Sequence, residues 1–112
     1  MIIDGFDVNL IQNSLMEMRN YSDFEEGESE ENYFDLYRDI DDLLNKIELS
    51  TISDEFIHEL DVSNYQLQLI IICIMHYYVV IKNSDTLDLL DRIEEGNPGI
   101  KQQACDNFLN RK

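Results

Sequence analysis

The stretch YQLQLIIICIMHYYVVIK, residues 65–82, decides how this chain folds. From Leu69 to Ile81 it holds no charged residue and one histidine, His76, and neither Gly nor Pro interrupts it. A helix that is apolar all round must be buried on several sides. At 1.5 Å per residue its 18 residues make a rod of roughly 27 Å, the width of a small domain. The expected architecture is therefore all-α: one domain over residues 1–112, five or six helices around a central apolar helix at about 64–82.

A membrane span and a buried strand are the rivals to that reading. A span wants about 20 apolar residues, and Gln66, Gln68 and His76 interrupt this one, with no basic flank to set topology. The β-formers in IIIC and YYVVI argue for a strand, but strands run about 4–8 residues and nothing here breaks the run. Ser63, followed three residues later by Gln66, supplies a capping-box start.

Charge is the other loud signal. The chain of 112 residues is 44% hydrophobic, as a globular protein should be, yet carries a net charge of −16. The excess is lopsided: residues 1–61 hold 18 acids against 3 bases, whereas residues 62–112 hold 6 against 5. Such a field repels nucleic acid and anionic membranes and attracts cations. The opening MIIDGFDVNL lacks the basic region of a signal peptide, and Cys73 and Cys105 have no metal-binding or redox spacing. Reduced thiols in a cytoplasmic protein are the expectation.

Along the chain, Asp7 is placed to cap a first helix with Val8, Ile11, Leu15 and Met18 on its inner face. YSDFEEGESEEN, residues 21–32, reads as an exposed acidic loop. A second helix starts at Ser29 or Asn32, with Tyr33, Tyr37, Ile40, Leu44 and Ile47 as its stripe, widened by Phe34, Leu36 and Leu43. Asp35, Asp39 and Asp42 then fall nearly in line on another face. Ser50 or Ser53 opens a short helix carrying Phe56, Ile57 and Leu60. Ser84 caps the helix of Leu87, Leu89, Leu90 and Ile93, with Gly96 as its C′ residue. Asn97 and Pro98 start a last helix bearing Ile100, Ala104 and Phe108.

Catalytic signals are poor. Cys73 and His76, three apart on one helix, have the spacing of a nucleophile and base, but both lie in the run that should be buried. The acids of residues 23–42 do not follow a calcium-loop pattern, and GNPG is a turn with no phosphate-binding fingerprint. No catalytic residue, cofactor or metal is expected. What remains is a surface where acids and aromatics interleave, the composition of a protein interface steered by charge. Its candidate partner-binding residues are Asp23, Glu25, Glu26, Glu28, Glu30, Glu31, Tyr33, Asp35, Tyr37, Asp39 and Asp42. The bland alternative is a solvated acidic face that only keeps the protein soluble.

In size, helical content, acidity and the clustered run DFEEGESEENYFDLYRDIDD, residues 23–42, the chain resembles the small acidic immunity proteins of bacterial toxin–immunity systems, including contact-dependent growth inhibition. The resemblance is of class and carries no residue across position by position. It implies a noncatalytic cytoplasmic inhibitor that binds a basic toxin, a nuclease above all, and covers its substrate site. It implies no direct contact with nucleic acid or membrane. Acidic DNA mimics are similar too, though their charge commonly spreads along the whole surface, and an acidic adaptor or regulator is the third reading.

Overall fold

The computed structural model describes residues 2–24, 30–51 and 56–109, and the side chains of 2–19, 38–51 and 56–108. In chain order the elements are β1 (Ile2–Asp4), α1 (Gly5–Phe24), α2 (Glu30–Ser50), β2 (Ile57–Glu59), α3 (Asn64–Ile81), α4 (Ser84–Gly96) and α5 (Ile100–Ala104). A π turn at Cys105–Leu109 prolongs α5. The fold is all-α, with one short antiparallel ribbon added.

The apolar run forms α3, which packs against α1, α2, α4 and α5. Its start is the expected capping box: Ser63 Oγ accepts from the Gln66 N–H at 3.1 Å, and Gln66 Oε1 accepts from the Ser63 N–H at 3.0 Å. Lys46 Nζ donates to the same Oε1 at 3.1 Å, fastening α2 to this corner. Residues 67–74 are buried, and they meet Ile11 and Leu15 of α1, Ile40, Leu43 and Ile47 of α2, and Leu89, Leu90 and Ile93 of α4 in one core.

Burial on several sides holds only for this first half. Val79, Val80 and Ile81 are 70%, 49% and 51% exposed. The helix ends at Lys82, whose left-handed backbone (φ 59°) lets its N–H donate to the Tyr78 carbonyl at 2.7 Å.

Several local expectations are corrected. The cap of α1 is Asp4, whose Oδ1 accepts from the Asp7 N–H at 2.8 Å, while Asp7 Oδ2 accepts from the Asp4 N–H at 3.1 Å. This is a capping box built from two aspartates, with Asp7 at its inner position. The span read as a loop, residues 21–32, is helical at both ends: α1 runs to Phe24 and α2 begins at Glu30. The short helix expected around Phe56 and Ile57 is strand β2, with Ile2 opposite Glu59, Ile3 opposite His58 and Asp4 opposite Ile57. A helix of one or two turns is marginal on its own. The β-branched Ile2, Ile3 and Ile57 gain more by pairing, which also buries Ile3.

Farther on, Asn83 caps α4 through its side chain, which accepts from the Asp85 N–H, and Thr86 is buried where Leu87 was expected. Gly96 is the last helical residue and has no left-handed backbone; that conformation belongs to Gly99 (φ 87°). The last helix starts at Ile100, two residues beyond the Asn–Pro signal. Glu94 causes the shift by reaching across to accept from the N–H groups of Gly99 at 2.8 Å and Lys101 at 2.9 Å. These bonds, Lys101 first, hold its carboxyl below the usual glutamate range.

Two substitutions test this account. Asp7→Ala removes half of a capping box and a buried carboxylate that Arg92 grips (below), so urea denaturation should show a loss of about 2–3 kcal/mol. Lys82→Gly relieves the left-handed backbone and should stabilise the protein by up to about 1 kcal/mol, part of the relief being lost to the freer unfolded chain.

Candidate functional site

The acidic face of α2 starts from residues whose periodicity puts Ile40, Leu43 and Ile47 in the core. The carboxylates between them must then point away, and the fold uses some of them. Tyr65 Oη donates to Asp39 Oδ2 at 2.7 Å, and Arg19 Nε to Asp41 Oδ1 at 2.9 Å. Asp42 is exposed, and Asp39 and Asp41 are half-buried. Of the expected partner-binding residues, Asp39 and Asp42 therefore share α2 but have different surroundings. The side chains of Asp23, Glu25, Glu26, Glu28, Glu30, Glu31, Tyr33, Asp35 and Tyr37 lie outside those described.

A second constellation was missed by sequence reasoning. Arg92 of α4 donates from Nη1 to Asp7 Oδ2 at 3.0 Å and from Nη2 to Asp7 Oδ1 at 2.7 Å, and its Nε donates to Asp88 Oδ2 at 3.1 Å. The Asp7 side chain is 3% exposed and that of Arg92 46%. The hydrogen bond to Asp7 does most to hold the guanidinium charged; partial desolvation opposes it, and the nearby charges of Asp7 and Asp88 add to it. The arginine forms one wall of a groove of about 490 Å³ between the starts of α1 and α4, with Tyr77 of α3 inside it. Among the described residues, Asp4, Asp7, Asp85 and Asp88 give this groove four carboxylates against one guanidinium. The only local signal was Arg92 four residues after Asp88; its main partner lies 85 residues away.

Cys73, which with His76 has the spacing of a nucleophile and base, is buried, as the apolar run around it implies. Burial pushes the Cys73 thiol up to about 12, so almost none of it is thiolate at neutral pH. His76 is half-buried on the same helix. Among the described residues no group of three or more His, Cys, Asp or Glu is arranged to hold a metal ion. Helix α3 has the length and composition of a membrane span, but its first half is the protein's core. Gln68, buried there, bonds Asn64 on its own helix and accepts from Asn107 Nδ2, pinning the π turn.

No family model, curated protein or solved structure matches the chain.

Burial also separates the two cysteines. At pH 8, iodoacetamide should modify half-buried Cys105 in the native protein and reach Cys73 only after unfolding. Labelling of native Cys73 as fast as in urea, read by peptide mass spectrometry, would contradict the burial.

Proposed function

We propose that this protein is a noncatalytic acidic inhibitor that docks on a basic protein, a toxin nuclease in the manner of an immunity protein, and covers its substrate site. The observation that carries this reading is the placement of charge: 18 acids against 3 bases in residues 1–61, and near balance beyond. Two of those three bases already have partners within the fold, Arg19 on Asp41 and Lys46 on Gln66. They do little to blunt the field that a cationic partner would meet. A nuclease grips phosphates with Lys and Arg, and carboxylates spaced along α2 and the segment before it offer the same groups an alternative anion. Binding would combine steric occlusion with charge pairing, and Tyr33 or Tyr37 would serve as the aromatic anchor.

Charge of this kind acts mainly on the rate of encounter. Stopped-flow mixing with basic toxin nuclease domains at low salt, with nuclease activity followed in parallel, is the direct test. The double variant Asp35→Lys/Asp42→Lys leaves the Asp39–Tyr65 bond in place and should associate about ten-fold or more slowly while keeping its helical spectrum. Unchanged association in that variant would remove this face from the reading, and binding that leaves the nuclease active would remove inhibition.

A further inference from the structure

We propose that the groove between α1, α3 and α4, with the apolar ribbon face at its mouth, docks an amphipathic cationic segment of the protein partner. This rests on the reading of a cationic partner and places part of the contact away from α2, none of whose described side chains lines the groove.

The first observation is an uncovered apolar face. Ile2, Phe6, Phe56 and Ile57 are 73%, 72%, 56% and 61% exposed. Strand alternation puts Ile2 and Ile57 on the same side of the ribbon, opposite the buried Ile3, with Asp4 and Glu59 beside them on that side. The Phe6 and Phe56 rings meet edge to face at 5.7 Å. Phe56 lies over Gly5, where a Cβ would stand 3.1 Å from its ring. Large apolar side chains left together in this way mark interaction surfaces more often than chance exposure does.

The second observation is charge beside that face. Phe6 and Asp4 belong both to the ribbon end and to the groove, so the apolar face runs directly into the four carboxylates. The one cation among the groove's described residues, Arg92, is committed to Asp7 and Asp88. A segment alternating Lys or Arg with Leu- or Val-like residues matches this order, its cations entering the groove and its apolar side chains resting on Phe6, Phe56 and Ile57. A second copy of this chain would set like carboxylates against each other, and an anionic lipid surface would meet the same repulsion.

The test is a titration of the ¹⁵N-labelled full chain at low salt with a blocked (Lys-Leu)₅ peptide and, separately, with (Lys)₁₀. The alternating peptide should shift amide signals at residues 4–7, 56–59 and 83–88, and bind about ten-fold or more tightly than oligolysine. Phe6→Ser/Phe56→Ser should erase that preference. Asp85→Asn/Asp88→Asn should weaken both peptides at this site, and it decides the matter if the first variant does not fold. Shifts confined to residues 38–48, or an undiminished preference in the phenylalanine variant, would overturn the groove while leaving docking on α2 intact. The same signals moving with protein concentration alone would overturn it in favour of a second copy. Binding of neither peptide would sink both this inference and the cationic-partner reading.

Discussion

Eight consecutive buried residues, 67–74, are the constraint to which the rest of the chain answers. Only helices packed from several directions can keep such a segment from water. Each buried Ile or Leu contributes about 1.5–3 kcal/mol, and truncating one such as Ile70 would cost about 2–5 kcal/mol. Among the described residues no surface ion pair approaches that: Arg19–Asp41, with both side chains only half-buried, is worth about 1 kcal/mol or less. Hydrophobic burial thus holds the fold against its own repulsion, and the polar contacts set how the elements sit.

Those contacts concentrate at helix ends. Ser63 and Gln66 close the start of α3 and draw in Lys46; Asp4 and Asp7 close the start of α1 and draw in Arg92. In both places a capping side chain doubles as the acceptor for a distant cation. The chain therefore uses few bases to join many elements, and most of the described acids are exposed.

How much of this was legible follows from the range of each interaction. The capping box of α3 lies within four residues and was read correctly, as were Val8, Ile11, Leu15, Ile40 and Ile47 of the two stripes; Leu43, read as a flank, is fully buried, whereas Leu44 and Met18 are only partly so. The ribbon was not, because strands of three residues are too short for alternation to declare itself, and their pairing joins Ile2 to Glu59 across the chain. The start of α5 was misplaced because its cap is the side chain of Glu94, on the preceding helix. Exposure of Val79, Val80 and Ile81 depends on how the other elements pack around α3, which no local pattern encodes. The acidic character of the candidate surface was plain from composition. That Asp39 is bound by Tyr65, and that a groove forms between residues 4–13 and 77–92, required the folded chain.

Asp7 sits where two circuits cross. One of its oxygens receives both the backbone of Asp4 and the guanidinium of Arg92, and the other completes the fork. The first turn of α1 and the body of α4 are thus tied through a single side chain, and a substitution that removes it takes away both contacts at once.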